Sequence, residues 1–516
     1  MPAEYFVYID WNNDGDFSDT RENVTSRTLD GRTPITVRYG RDQARALSPT
    51  AVGEAGFELN NQSRDFSPEN TSSPLVGLVQ PGRSAMIQAV LSATTYTIFS
   101  GHLDDFKVKP GRDQRSIDVT CLDPLARLKG VQVSTPIYSG LRTGAAIGLL
   151  LDAVGWSATL RDLDAGATVM PWWWADNSDA YDALMQIVDS EGPAALVTVD
   201  SAGQIVFRDR HHRLLRTASR TVQSTWRSSG AVEPLISAPA DYNHGWKEII
   251  NSVSFDVPVR VPSGELSVVW SSPGRTTISA GETILISARG SSPFLEAVVP
   301  EVGTDYQLVS GTIEVALFNT SGESTTVSVK AVGGTAVVDD LQVRGYALAT
   351  VTTVVVSVED SVSIGKYGRR SPQATRTPIW AGVHDAKAIA DLIVGKRAER
   401  LPTITVTMVG GNTTRLLQQL SRNLSDRVHV AESHTGLDAD CWIEQISHAI
   451  TDGGLNHSTT FGLEKVPDTV ASPFTFDVAG RGFNDGKFVG TGADDPTTMF
   501  LFDTVGQGFD QGVFAN

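Results

Sequence analysis

A mainly β, multidomain fold is what this sequence predicts, with one small α+β module set between two barrel-like β domains and a β-sandwich inserted as well. Three observations carry that expectation. Apolar and polar residues alternate with a period of two through residues 1–130. Residues 265–350 are short Val-, Ile- and Thr-rich stretches between Gly and Ser turns. Helical periodicity is confined to a few short windows. The chain has 516 residues, too many for one core, and the length fits about three or four domains.

The first domain, 1–130, rests on segments such as Phe6–Ile9, Thr36–Tyr39, Gly56–Leu59, Met86–Val90 and Ile117–Thr120, each followed by turn-rich sequence. It reads as an antiparallel barrel. In 131–256 the period changes. Ala145, Leu149, Leu150 and Val154 share a helical stripe, and Ser178 precedes a second helix whose Tyr181, Leu184, Ile187 and Val188 share a face. Ala194–Val199, the turn Asp200–Gly203 and Gln204–Phe207 then spell a hairpin. The inserted sandwich is 265–350. Strands return in 351–466, a second barrel-like domain broken by an Ala-rich helix near Asp385–Ala398. Pro467–Pro473 reads as a linker into a C-terminal motif, so that 467–516 forms the last division.

Composition narrows the function. Hydrophobic residues at 41% and charged residues at 20% describe a folded chain, which excludes wholesale disorder. A net charge of −17 argues against general affinity for nucleic acid, because phosphate binding needs clustered Lys and Arg. Cys121 and Cys441 are the two cysteines, too few and too far apart in sequence for a disulfide framework, which suits synthesis in a reducing cytosol. The N-terminal sequence has neither the basic region nor the apolar run of a signal peptide, and no apolar stretch is long enough to span a bilayer. A soluble protein without stable membrane insertion is expected.

The sharpest local motif is Asp10-Trp-Asn-Asn-Asp-Gly-Asp-Phe-Ser-Asp. Asp10, Asn12 and Asp14 occupy first, third and fifth positions, Gly15 supplies the sharp turn, and Phe17 is placed to anchor the loop to a core. Asp16 and Glu22 complete a set of oxygen donors suited to Ca2+ in a structural role. Two departures from an EF-hand are evident: Arg21 stands at the twelfth position with Glu22 one residue later, and the loop follows a strand. An Asx-stabilised turn without metal is the competing reading.

Other clusters read as structure. His211-His212 lies among Arg208, Arg210 and Arg213 and reads as a solvated strand end; Trp172-Trp-Trp174 reads as an element entrance with one ring buried. Adjacent acids such as Asp104-Asp105 do not give the separation that glycoside hydrolysis needs. The sequence carries no GxSxG, HExxH or phosphate loop. No enzyme is predicted.

The C-terminus repeats one short sentence. Phe474, Phe476, Asp477, Gly480, Gly482 and Phe483 recur in register as Phe500, Phe502, Asp503, Gly506, Gly508 and Phe509. Each copy is too small for its own core and carries no nucleophile or metal-ligand cluster, so the pair reads as a docking motif.

The order of a β domain, a module ending in Ala194–Phe207, Asp426-Arg-Val-His-Val430 and Trp442–His448 resembles the baseplate hub, or minor tail protein, of long-tailed bacteriophages. The terminal FDVAGRGF and FDTVGQGF segments look like those closing minor tail proteins of phages of actinobacteria. The resemblance spans most of the chain outside 265–350. It implies a homotrimer whose subunits each contribute two tail-tube-like barrels, 1–130 and 351–466, so that three chains adapt a sixfold tail tube to a threefold tip. It implies a tube or distal tail protein above, the tape measure in the lumen, DNA only in transit, tip or fibre proteins below, and a place at the virion tail tip after synthesis in the host cytoplasm. A calcium-dependent host-surface or carbohydrate-binding adhesin of the tail tip is the alternative, resting on the Asp10 loop and the sandwich. A tail-associated cell-wall hydrolase would need a catalytic dyad that the sequence does not show.

Overall fold

Among the described residues twelve strands form one sheet, and their order contains the same six-stranded pattern twice. The computed structural model describes residues 3–41, 49–111, 114–230, 235–237, 240–243, 245–372, 377–410 and 412–467. In chain order the strands are β1 (Glu4–Ile9), β2 (Ile35–Arg41), β3 (Thr50–Asn60), β4 (Ser84–Leu91), β5 (Thr94–Pro110) and β6 (Arg115–Leu122). They are followed by β7 (Ser224–Arg227), β8 (Asp241–Asn243), β9 (Thr403–Val409), β10 (Arg427–Glu432), β11 (Leu437–Thr451) and β12 (Asn456–Lys465). The first unit runs β1-β4-β5-β6-β3-β2 and the second β7-β10-β11-β12-β9-β8, joined where β2 pairs with β11.

Every strand of the first unit therefore has a counterpart six places later with the same neighbours. The match extends to register. Glu54–Asn60 of β3 lie opposite Leu122–Ser116 of β6, as Thr403–Val409 of β9 lie opposite Glu464–Ser458 of β12. β5 and β11 each carry a bulge against the following strand, at Asp104 and at Glu444. Ala55, Phe57 and Leu59 point into one core where Ile404, Val406 and Met408 point into the other; burying each larger side chain contributes roughly 2 kcal/mol. One feature breaks the match: β1 is antiparallel to β4, whereas β7 is parallel to β10.

The remaining elements fill two gaps. Between the units lies the α+β module, with helices α1 (Thr143–Ala153) and α2 (Ala180–Glu191) over a core that includes Leu150, Trp173, Leu184, Ile187 and Phe207. The hairpin Leu196–Val199 with Ile205–Arg208 forms as the sequence suggests, with Gly203 at φ 80°. Between β8 and β9, Ser252–Pro262 and Gln342–Glu359 make an antiparallel stalk that carries the sandwich, whose core includes Val269, Ile278, Phe294, Val327 and Val343. Helix α3 (Val383–Arg397) packs Ile389 and Ile393 on Phe255 and Val257 of the stalk, and α4 (Thr413–Ser421) leads toward β10.

Several local expectations shift. The buried face of α1 is Ala146, Ile147, Leu150 and Leu151, with Ala145 exposed, because the module covers a wider arc than one stripe. Asp179 rather than Ser178 caps α2, its carboxylate accepting from the Tyr181 and Asp182 amides. His212 begins a short helix, not a strand end. β7 and β8, which fall within 131–256, complete the second unit.

Candidate functional site

The Asp10 loop follows β1 and is closed by backbone bonds from Ile9 N to Glu22 O and from Val24 N to Val7 O, both 2.9 Å. Asp10 and Glu22 are each 1% exposed. Asp10 Oδ1 accepts from the Asn13 and Asp14 amides at 2.5 and 3.3 Å, and Oδ2 from Gly15 at 3.0 Å, so one carboxylate organises the turn. Gly15, at φ 92°, takes the sharp corner that a side chain would strain. Carboxylate oxygens of Asp10, Asp14 and Glu22 lie within 4.8 Å of one another. Glu22 Oε2 accepts from Asp19 N at 3.0 Å, while buried Oε1 has no hydrogen-bond partner. Burial raises the Glu22 carboxyl above its ordinary value, and the charges of Asp10, Asp19 and Asp14 push the same way, against the Asp19 amide bond. A hard divalent cation among these oxygens would relieve both.

The other two expected donors are placed differently. Asn12 turns its amide nitrogen to Asp14 and Asp19, at 2.9 and 2.6 Å, and Asp16 accepts from Ser18 N at 2.8 Å. Asp19, absent from the expected set, joins the loop through Asn12 and Glu22. Phe17 is only half-buried, against Tyr8; Trp11 is the anchor, 3% exposed, stacked 5.7 Å from Phe66 and bonded to Arg21 O. The docking-motif residues Phe474 to Phe509 lie outside the described residues.

A second polar centre sits where the units meet. Glu464 on β12 holds Lys396 and Arg397 of α3, each at 2.8 Å, and Arg213 at 3.4 Å. Arg213 also pairs with the bulge residue Glu444 at 2.5 Å, and Arg41 of β2 approaches Glu444 at 4.0 Å. Burial alone would raise the Glu464 carboxyl, but Lys396, Arg397 and Arg213 outweigh it and hold it far below the carboxylate range. Toward the other end of β11 and β12, Tyr5 Oη, His457 and His448 form a buried chain, 2.7 Å from Tyr5 to His457 Nδ1 and 2.9 Å from His457 Nε2 to His448 Nδ1. No sequence spacing links these residues, which come from six separate segments.

A groove of about 930 Å³ runs beside this centre, walled by Tyr39, Tyr96, Asp123, Arg208, Asp426 and His448 among others. Burial lifts Asp123 to about 7, yet its oxygens already accept from the Gly53 and Leu125 amides. Asp426 accepts from Asn423 N, and His448 bonds His457 and Thr459. Asp123, Asp426 and His448 of the groove are thus spent on the scaffold.

The Trp cluster is likewise a joint. Trp173 is 1% exposed, Trp172 donates to Arg260 O, and Trp174 meets Trp380 edge-on at 4.8 Å while donating to Glu323 of the sandwich.

No family model and no curated protein matches the sequence. Among solved structures, the chain is similar to the 43 kDa tail protein of prophage MuSo2 from Shewanella oneidensis, at 12% identity, TM-score 0.46, over 89% of this chain and 98% of that one. It is similar to a tail protein from Neisseria meningitidis at 11% identity and TM-score 0.46, over 90% and 97% of the two chains. A third is the prophage tail protein gp18 from Listeria monocytogenes, at 8% identity and TM-score 0.38, over 89% and 94%.

Proposed function

We propose that this chain is a structural component of a phage tail tip, a hub whose copies form a ring around a channel. The observation that supports this is the duplicated six-stranded unit: one chain supplies two quasi-equivalent units joined edge to edge, so three chains supply six. A threefold assembly of this kind matches a sixfold tube on one face and a threefold tip on the other. The tube or distal tail protein then sits above, tip or fibre proteins below, and the tape measure and transiting DNA in the lumen. The sandwich, raised on its stalk, is placed for contact with further tip proteins. No catalytic role is assigned, and the hydrogen bonding of the groove supports a scaffold.

The Asp10 loop supports a second, smaller element of this reading. Asp10, Asp14 and Glu22 hold a structural Ca2+ that ties β1 to the strand pairing at Val24, the buried unpaired Oε1 of Glu22 being the position that asks for a ligand. This favours a stabilising ion over a calcium-dependent adhesin, since Asp10 and Glu22 are buried and offer no free face to a glycan.

Native mass measured with particle imaging tests the hub. A closed trimer whose projection shows six similar lobes is expected; a monomer at the highest soluble concentration overturns it.

A further inference from the structure

The duplication makes one edge conspicuous. Within the chain, β2 pairs with β11 as Thr36 opposite Ala449, Val37 opposite His448 and Arg38 opposite Ser447. That pairing covers the second half of β11, where Ile446, His448 and Ile450 are buried. The counterpart of β11 is β5. Its first half pairs with β4, but among the described residues nothing pairs with Asp105–Pro110 on the side away from β6. Val108 is 37% exposed there, and Pro110 is exposed beside it. The counterpart of β2 is β8, which pairs only with β9 among the described residues. One chain thus carries one satisfied junction and the two separated halves of a second. Unpaired edges of this kind are templates for another chain.

Register follows from the first junction. Aligning the units through β3 with β9 and through the bulges puts Asp241 at the place of Thr36 and Asn243 at that of Arg38; Lys109 stands for Ala449 and Lys107 for Ser447. We propose that β8 of one copy of this chain adds antiparallel to the open half of β5 in the next copy, with Asp241 opposite Lys109 and Asn243 opposite Lys107. The charges agree: an acid meets a lysine across the strands, a favourable cross-strand pair. Trp246, three residues beyond β8 with the Arg370 guanidinium over its ring, is still 56% exposed and available to such a contact, as interface aromatics are. The contact is head to tail, so it closes into a ring when the rotation permits and otherwise runs on as a filament. This rests on the ring reading above and adds the strands and register that make it.

Disulfide trapping separates the two claims. Asn243 and Lys107 are exposed, so Asn243→Cys and Lys107→Cys leave the core untouched, and native Cys121 and Cys441 are buried. The two single variants are mixed and oxidised in the full-length protein, and mass is followed by sizing and non-reducing gels. A cross-linked dimer forms only in the mixture, and the double variant gives a covalent ladder ending at the ring. Pairing Asn243→Cys with Val108→Cys, which slips the register by one and turns the side chains to opposite faces, gives at least about tenfold less product. Oligomers that cross-link no better at the matched register than at the slipped one overturn the strand junction and leave the hub standing. A protein that stays monomeric overturns both.

Discussion

The two six-stranded units share a topology and differ in what lies against their longest strand. In the second unit, β2 covers β11, Ile446 and Ile450 are fully buried, and the bulge residue Glu444 is 2% exposed and paired with Arg213. In the first unit nothing among the described residues pairs with the equivalent half of β5 on the side away from β6, Val108 is 37% exposed, and the bulge residue Asp104 faces solvent. The same scaffold therefore carries a core at one position and an edge at the other. A buried acid must be matched by cations or it destabilises the fold, whereas an exposed one costs little. The second unit supplies those cations from the module and from α3.

Perturbing the matched side is expected to cost most. Glu464→Ala leaves Lys396 and Arg397 without their shared anion while Arg213 keeps Glu444, and should destabilise by about 3–5 kcal/mol in urea unfolding. An unchanged midpoint would show that the network contributes nothing to holding the units together. Gly40→Ala strikes the junction next. Gly40 has φ 104°, and a Cβ there would come within 2.3 Å of Glu444 O and 2.9 Å of Gln445 Cα, so the loss is about 2–4 kcal/mol from backbone strain and overpacking. If Gly40→Ala is tolerated, β2 and β11 are not held as tightly as their register implies.

Acid sharpens the same contrast. Burial lowers the His457 imidazole to about 4, and burial together with the neighbouring His457 lowers His448 well below its ordinary value. Both are neutral when folded, so the unfolded chain takes up protons first. Their contribution is present above about pH 6.5 and is lost as pH falls toward 4, on the order of 3 kcal/mol for His457. His457→Gln should flatten the stability profile across that window while leaving the profile below pH 4 to the carboxylates. A steep profile in the variant would assign the acid sensitivity elsewhere.

Legibility in the sequence divides along the same line. The Asp10 loop was readable because its acidic and amide residues fall close together in sequence, and Glu22 was within reach of the pattern; Trp11 was missed as the anchor because EF-hand spacing points to Phe17. The hairpin at Gly203 and the sandwich were readable from turn residues and β-branched runs. The duplication was not, because matched positions such as Phe57 and Val406, or Cys121 and Leu463, share only apolar character. β8, three residues long, is too short to show a period, and the stalk and sandwich separate it from β9. Glu464, Lys396, Arg397 and Arg213 form a site only after the chain has folded.

Calcium offers a smaller effect, confined to the first unit. A cation bound with ligand at about a hundred times its dissociation constant stabilises by about 2.7 kcal/mol, and Asp10→Asn or Glu22→Gln should abolish the response to chelator in thermal unfolding. Because Asp10 also accepts the Asn13, Asp14 and Gly15 amides, Asp10→Asn tests turn and metal together. Glu22→Gln isolates the metal, since the amide can still accept from Asp19 N. Equal midpoints with and without chelator in the native protein would leave the loop as an Asx-stabilised turn.

The smallest effect belongs to the comparison itself. Asp104 and Glu444 occupy the same bulge in the two units, so a bulge that needs an acid for its backbone geometry would make both alanine variants costly. The surroundings argue otherwise. Glu444 is enclosed with Arg213 and Arg41, and Glu444→Ala takes from Arg213 its closer anion, leaving Glu464 at 3.4 Å; Asp104 is exposed, and Asp104→Ala removes only a solvated charge. In the dissociated chain the urea midpoint should fall for Glu444→Ala and stay put for Asp104→Ala. If Asp104→Ala then weakens self-association while leaving that midpoint alone, the open edge of β5 acquires in the assembly the covered character that β11 already has within the chain.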